Sequence, residues 1–105
     1  MYGPLICDAI IRRRLLRFRY KDHASSTTVE PYTFGLNKAE HFVLSAWLVA
    51  GATHEDQPPY WRLYRLDEMH QVEVLQESFA TNRPGYKPND SRFARIDCRV
   101  RPPGA

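Results

Sequence analysis

Arginine dominates the side chains in this sequence that could bind another molecule. Twelve of the fifteen cationic residues are arginine, and the net charge is +3. Most of the arginines fall into three groups along the chain, which are Arg12, Arg13, Arg14, Arg17 and Arg19, then Arg62 and Arg65, and last Arg92, Arg95, Arg99 and Arg101. A guanidinium group presents a planar fork of donors that suits phosphate and stacks on rings. This clustering therefore indicates a polyanionic partner more strongly than the net charge does.

Five residues form a candidate nucleic-acid-binding site. Arg17 and Arg19 alternate with apolar residues, which places them on the polar face of a predicted strand. Trp47 would stack on a base while Arg65 contacts phosphate. Arg62 is an odd number of positions from Arg65, so on a regular strand it points to the other side, and it would make a contact at the rim. The alternative is that the two strand arginines are solvated charges and that Trp47 belongs to the core.

The other candidate groups do not have the spacing of a catalytic or metal site. The histidines are scattered over predicted turns and strand ends, without a partner at metal-ligand spacing, and they are His23, His41, His54 and His70. Asp67 and Glu68 are adjacent on a turn and therefore point apart, so they do not predict a general acid–base pair. The hydroxyl residues at 25–28 have no nucleophile-activating neighbour in the sequence. We therefore expect no enzymatic activity, no metal and no cofactor.

The sequence gives no sign of a membrane span or of export. No apolar run approaches the roughly 18 residues of a membrane span, and Met1 is followed by no signal-peptide core. Cys7 and Cys98 are far apart in the sequence and match no metal spacing, which favours two reduced thiols. These observations predict a cytoplasmic protein.

A short helix followed by five short strands is the predicted order of elements. Pro4 stands where a helix begins, and apolar residues recur at helical spacing as far as Ile10. The arginine run at 12–14 follows; because cations complement the C-terminal end of a helix, a charged helix exit explains this run better than phosphate binding does. Alternating patterns predict strands at 15–20, 27–32, 41–50, 60–66 and 72–76. This order favours a mainly β fold with a small closed barrel.

The remaining segments are predicted to be turns, a linker and one more strand. Residues 35–40 and 51–59 contain turn formers, and residues 81–90 are rich in Pro, Gly and Asn. Within residues 94–100, apolar side chains alternate with charged ones, which indicates a half-buried strand. That strand either caps the edge of the barrel or begins a further domain. The chain is therefore divided into a barrel at 1–79 and a linker with a C-terminal strand at 80–105.

Several stretches of the sequence, taken in order, resemble the WYL domain family. They are residues 9–20, residues 29–32 (Val-Glu-Pro-Tyr), residues 41–44 (His-Phe-Val-Leu), and residues 62–67 (Arg-Leu-Tyr-Arg-Leu-Asp) followed by residues 72–75 and Phe79. The resemblance implies an Sm-like or SH3-like barrel preceded by a helix. Arg65 occupies the family's arginine position. The sequence differs from the family at Phe42 and Val43, where the name-giving motif has Trp and Tyr, and at Glu68, where an arginine is usual.

The resemblance also implies a regulatory function. Members of the family usually occur in bacterial transcription regulators and defence-associated proteins, behind a winged helix-turn-helix, where the domain senses or binds a nucleic acid or nucleotide. We therefore expect a single-stranded nucleic acid or a nucleotide as ligand, with a separate helix-turn-helix protein as a further candidate partner. The alternative is a protein-interaction or oligomerisation module, since an exposed strand edge such as that of residues 94–100 can pair between subunits of a homo-oligomer.

Overall fold

Residues 2–51 and 60–101 are described by a computed structural model. The elements are helix α1 (Gly3–Arg12), strands β1 (Arg14–Tyr20), β2 (Thr27–Asn37), β3 (Phe42–Ala50) and β4 (Trp61–Arg65), a 3-10 turn (Leu66–Glu68), and strands β5 (Met69–Ser78) and β6 (Phe93–Arg99). This order confirms the prediction of one short helix followed by strands in a mainly β fold. The predicted loop at 51–59 lies, beyond its first residue, outside the described residues, and so does His54.

Helix α1 begins and ends for local reasons. Pro4 lies in its first turn, where an N–H would have no partner within the helix. The helix ends at Arg13, which adopts a left-handed conformation (φ 55°) and whose N–H donates to the carbonyl of Ile10 at 3.2 Å. Arg12 forms an exposed ion pair with Asp8 at 3.5 Å. The buried face of the helix carries Ile6, Ala9 and Ile10. The arginine run is therefore a charged helix exit, as the sequence predicts.

The strands form one antiparallel sheet that curves around the core. Its order is β4-β3-β2-β1-β5, and β6 pairs with the part of β2 that β1 leaves open. The 3-10 turn directly connects β4 and β5, the two ends of this order. These features are consistent with a small barrel-like fold. Because β6 pairs with β2 and contacts α1, the strand predicted at 94–100 covers an edge of this same sheet.

β2 is longer than the sequence predicts. Residues 35–40 are expected to form a turn, but Gly35 lies within β2 and only the residues after Asn37 turn. A Cβ atom at Gly35 would stand 2.1 Å from the carbonyl oxygen of Arg95, so the absence of a side chain is what allows β6 to pair here. Asn37 Oδ1 closes the turn by accepting the N–H groups of Ala39 at 3.0 Å and His41 at 2.9 Å.

The alternating pattern predicts that Phe18, Tyr20, Leu44 and Leu66 are buried, and the core contains two of these four side chains. Phe18 and Leu44 are almost fully buried, which confirms that part of the prediction. Tyr20 and Leu66 are only half-buried. The hydroxyl of Tyr20 accepts the N–H of Arg65 at 3.0 Å, and this polar contact keeps the end of its ring near the surface. Leu66 lies on the 3-10 turn between two strands, where one side of the chain faces water.

Cys7 and Cys98 form a disulfide, so the expectation of two separate reduced thiols is wrong. Their Cα atoms are 5.7 Å apart, within the range that a disulfide requires. The physical reason is that β6 returns to pack against α1, although the two cysteines are 91 positions apart in the sequence. The expectation of a cytoplasmic location depended in part on reduced thiols, and it loses that support.

Candidate nucleic-acid interface

Most of the predicted binding residues lie on one side of the sheet, which we call the Trp47 face. On β3 this face carries Val43, Ser45 and Trp47, whereas Leu44, Ala46 and Leu48 lie in the core. Residues directly opposite each other in an antiparallel pair share a face. The Trp47 face therefore continues through the β4 partners Arg65, Leu63 and Trp61 and through the β2 partners Gly35, Thr33 and Glu30.

The predicted arginines are spread along this face and are not gathered at one point. Arg65 lies opposite Val43, four residues along β3 from Trp47, which corresponds to about 13 Å along the strand. Arg17 lies on the same side of the sheet, since its β2 partner Thr28 has the same parity as Glu30, the partner of Trp47. Arg19 follows Arg17 with the same parity on β1.

Arg62 lies on the other side of β4. It is opposite Ala46 and half-buried, as its parity predicts. Its Nη1 donates to the carbonyl of Trp61 at 3.3 Å, which keeps the side chain close to its own strand. Arg19 is held in a similar way, because its Nε donates to the carbonyl of His23 at 3.2 Å. The binding role of both residues stays a prediction.

Arg17 and Arg65 form exposed ion pairs that a phosphate could replace. Arg17 Nη2 lies 2.6 Å from Glu73 Oε1, and Arg65 Nη2 lies 2.8 Å from Asp67 Oδ2. The two arginine side chains are 45% and 41% exposed, and pairs of this kind contribute about 0–1 kcal/mol because water screens them. Arg65 Nε has no hydrogen-bond partner among the residues that the structure describes. Arg17 also donates to Glu73 Oε1 through Nε at 2.7 Å, and Arg65 Nη1 lies 3.9 Å from Glu68 Oε1, so a phosphate would compete with these carboxylates for each guanidinium group.

Trp47 is half-buried in a group of aromatic rings, so it is neither a core residue nor a free ring. Its ring centroid lies 5.4 Å from that of Tyr60 and 5.6 Å from that of Trp61. The guanidinium of Arg83 lies over the indole, 5.1 Å from the centroid. An open groove of about 390 Å³ runs beside this ring and is lined by Trp47, Leu48, Val49, Ala50, Tyr60 and Arg83. A cation and several apolar side chains thus share one groove.

Arg83 is held in place by a buried carboxylate. Its Nε and Nη2 donate to the two oxygens of Glu30 at 3.0 and 2.9 Å, and the carboxylate itself is only 7% exposed. The backbone N–H of Arg83 donates to the hydroxyl of Tyr32 at 2.9 Å, and that hydroxyl donates to Glu30 at 3.3 Å. Burial raises the pKa of Tyr32 to about 12, and the adjacent carboxylate also raises it. The hydroxyl therefore keeps its proton at neutral pH and remains a donor.

Sequence reasoning missed Arg83. This arginine stands outside the three groups, in the segment predicted to be a linker, and nothing in its spacing relates it to Trp47. A weak signal was present, because Glu30 and Tyr32 have the same parity on a predicted strand and a buried carboxylate on a strand needs a cationic partner. The sequence offers no means of deciding which of its arginines that partner is.

Two further kinds of feature are absent from the described part of the chain. Within residues 2–51 and 60–101, no three His, Cys, Asp or Glu side chains converge in a way that could hold a metal ion. No helix in these two ranges is long and apolar enough to cross a membrane.

The chain is similar to a known protein family. A family model of the WYL domain matches residues 4–74, which extend from α1 to the middle of β5. The segment after β5 and strand β6 lie outside this match. No curated protein and no solved structure matches the chain. Since the match spans about two thirds of the 105 residues and agrees with the barrel-like sheet, this chain belongs to the WYL domain family.

Proposed function

We propose that this domain is a regulatory module that binds single-stranded nucleic acid or a nucleotide through arginine–phosphate contacts and aromatic stacking, without catalytic turnover. WYL domains are known in regulators, and the chain is consistent with such a module. The observation that carries the finer proposal is the groove beside Trp47, in which an indole, a phenol ring and a guanidinium meet on the same face of the sheet as Arg17 and Arg65.

The aromatic part of the groove suits a base. Stacking on an aromatic side chain contributes about 1–3 kcal/mol per base and tolerates any sequence, because every base has a π face. Trp61 and Tyr60 limit the motion of Trp47, so little ordering would be required when a base binds. Arg83 lies over the same indole and would extend the stack or contact a phosphate.

The charged part of the face suits a strand that extends beyond one nucleotide. Arg65 and Trp47 are about 13 Å apart along the sheet, so a single nucleotide would not bridge them but two or three linked nucleotides would. Both Arg17 and Arg65 would exchange an exposed carboxylate for a phosphate. Since both ion pairs are exposed and screened by water, the exchange opposes binding by about 1 kcal/mol or less per pair.

Salt-dependent binding of a labelled single-stranded oligonucleotide, followed by fluorescence anisotropy, tests this proposal. Affinity should fall with salt, with a log–log slope of about −0.7 per phosphate neutralised. Arg65→Ala should weaken binding and make the slope shallower by about one contact. Trp47→Ala should cost about 1–3 kcal/mol and leave the slope nearly unchanged, because a ring releases no counterions.

Lys38→Ala is the matched control, since Lys38 is an exposed cation on the turn between β2 and β3. It should change neither the affinity nor the slope by more than the experimental error. If a folded Arg65→Ala protein binds like wild type, Arg65 does not belong to the site. If no oligonucleotide or nucleotide binds even at low salt, the proposal fails.

A protein-interaction module is the second candidate, and exposed apolar side chains favour it. Val49 and Leu63 lie on the Trp47 face and are 45% and 41% exposed. β4 and β5 are the ends of the sheet order, and such strand edges can pair with another chain. Self-association that persists at high salt in light scattering, together with no oligonucleotide binding, would favour this function over the first.

A further inference from the structure

A polar cavity lies under the segment that connects β5 to β6, which we call the 80–92 segment. Its volume is about 230 Å³. The walls include Thr33, Ser45, Trp61, Tyr86, Lys87 and Arg92. The groove beside Trp47 has a different lining, so the two are separate spaces. Every lining residue from the 80–92 segment lies outside the region that the WYL family model matches.

Two hydroxyl groups face this cavity from the sheet. Thr33 on β2 and Ser45 on β3 are directly opposite each other, and they are only 1% and 5% exposed. Both residues lie on the face of the sheet that turns away from Leu44 and Ala46 in the core. Small hydroxyl residues at these positions leave room beneath the 80–92 segment, which large apolar residues would fill.

The 80–92 segment is fixed in position, so the cavity is preformed. Trp61 Nε1 donates to the carbonyl of Pro84 at 2.7 Å. Gly85 has a φ of +90°, and a Cβ atom there would stand 3.0 Å from Trp61 Nε1. The hydroxyl of Tyr86 donates to the carbonyl of Val100 at 2.8 Å. A preformed cavity loses little entropy when a ligand enters it.

The charges around the cavity leave one cation in excess. Asp90 is only 6% exposed, and both of its oxygens accept hydrogen bonds from Arg92, at 2.6–3.2 Å. This pair is neutral as a unit. Lys87 lines the same cavity and adds a positive charge, so an entering anion meets one ammonium group, the guanidinium and carboxylate of the Arg92–Asp90 pair, and the hydroxyl of Ser45. The Thr33 hydroxyl is already hydrogen-bonded to Tyr86.

We propose that this cavity binds a small oxyanion of the phosphate-monoester class, with Ser45 donating a hydrogen bond and Lys87 supplying the charge. Hydroxyl and ammonium groups are the donors that such oxyanions use. The volume suits a phosphate group with a few attached atoms and is below the usual 300–1,000 Å³ of a drug-sized site. This site is distinct from the groove proposed for nucleic acid, and it does not depend on that proposal.

Ligand titrations at constant ionic strength test the proposal. The protein has two tryptophans, so Trp47→Phe leaves Trp61, which lines the cavity, as the only indole reporter. The probes are inorganic phosphate, adenosine monophosphate and adenosine. Saturable changes in Trp61 fluorescence with the first two probes and none with adenosine are expected. Equal affinity for phosphate and adenosine monophosphate would show that the cavity recognises the phosphate group alone. Binding of the monophosphate that is at least tenfold tighter would show that the cavity prefers a phosphate monoester to free phosphate.

Variants separate this site from general effects of salt. Lys87→Ala removes an exposed side chain, so the protein should fold normally, and phosphate affinity should fall about tenfold or more. Ser45→Ala should lower it about three- to tenfold. Lys38→Ala is the control and should not change it. If binding is followed by melting temperature in place of fluorescence, phosphate also raises that temperature through its exclusion from protein surfaces, but this effect would be equal in all variants.

Two results would overturn the proposal. One is the absence of saturable binding of both phosphate and the monophosphate, which would make the cavity a water-filled structural space. The other is phosphate binding that Lys87→Ala leaves unchanged. Oligonucleotide binding measured in parallel keeps the two proposals apart, since Lys87→Ala should leave it nearly unchanged if the groove beside Trp47 is a separate site.

Discussion

The ion pair between Arg83 and Glu30 allows a quantitative test of how the groove beside Trp47 is built. Arg83→Met keeps most of the apolar stem but removes the guanidinium from a carboxylate that is only 7% exposed. The two hydrogen bonds at 3.0 and 2.9 Å are lost, while the hydrogen bond that the Tyr32 hydroxyl donates to Glu30 at 3.3 Å remains. The variant therefore leaves a nearly buried charge without its cation.

The expected cost follows from the burial of each partner. Removing one partner of a fully buried pair costs about 3–5 kcal/mol. Arg83 itself is 43% exposed, so water reaches the guanidinium and can partly solvate the carboxylate after the substitution. We therefore expect Arg83→Met to lower the free energy of unfolding by about 1.5–3 kcal/mol. Glu30→Gln should cost about 1–2 kcal/mol, because the amide still accepts one hydrogen bond.

A double-mutant cycle in urea measures the interaction directly. Combining Arg83→Met with Glu30→Gln should reveal a coupling energy of about 1–2 kcal/mol. The matched cycle on the exposed pair of Arg12 and Asp8, which is 3.5 Å long, should give about 0.5 kcal/mol or less. If Arg83→Met costs less than about 0.5 kcal/mol, or if the two cycles give equal coupling, burial of Glu30 does not strengthen its ion pair with Arg83.

Three further predictions concern stability. Replacing Cys7 and Cys98 by serine opens the covalent loop between positions 91 apart, and the chain-entropy relation gives a loss of about 4–5 kcal/mol in the free energy of unfolding. Urea unfolding with and without reductant measures this loss, and equal stability in both conditions would contradict the prediction. The stability that Tyr32 contributes is complete below pH 10 and is lost as the pH rises through about 12, because the unfolded chain ionises first; the loss is about 2–3 kcal/mol. Tyr32→Phe should reduce the alkaline loss of stability by about this amount and leave the part due to Tyr86, whose pKa burial also raises; an unchanged loss would contradict it. Gly85→Ala should cost about 1–2 kcal/mol and shift Trp61 emission to longer wavelength, since a Cβ atom there strains the backbone and crowds the indole nitrogen; an unchanged spectrum and stability would contradict it.

The fold was largely predictable because local patterns determine most of it. Alternation marks β1 and β3 clearly, and the family resemblance orders the elements. Gly35 was misread as part of a turn, since glycine is a turn former in general but here allows the backbone of β6 to approach. The local preference of glycine for turns can be read from the sequence, whereas the close approach of β6 depends on the tertiary structure.

The candidate site was less predictable, because it depends on contacts between distant parts of the chain. Parity correctly placed Trp47 and Arg65 on one face and Arg62 on the other. It could not show that Arg83, 53 residues after Glu30, would close the groove. The pairing of Cys7 with Cys98 was missed for the same reason. Where a segment returns to the sheet depends on packing of the whole chain, which periodicity does not describe.

The disulfide gives the domain a particular mechanical behaviour. Tension applied to the chain before Cys7 and after Cys98 passes through a covalent bond between two points whose Cα atoms are 5.7 Å apart. The hydrogen bonds between the strands therefore bear none of the force, and stretching cannot unfold the sheet until that bond is broken. The same closeness would let the domain be inserted into a surface loop of a host protein without separating the two ends of that loop.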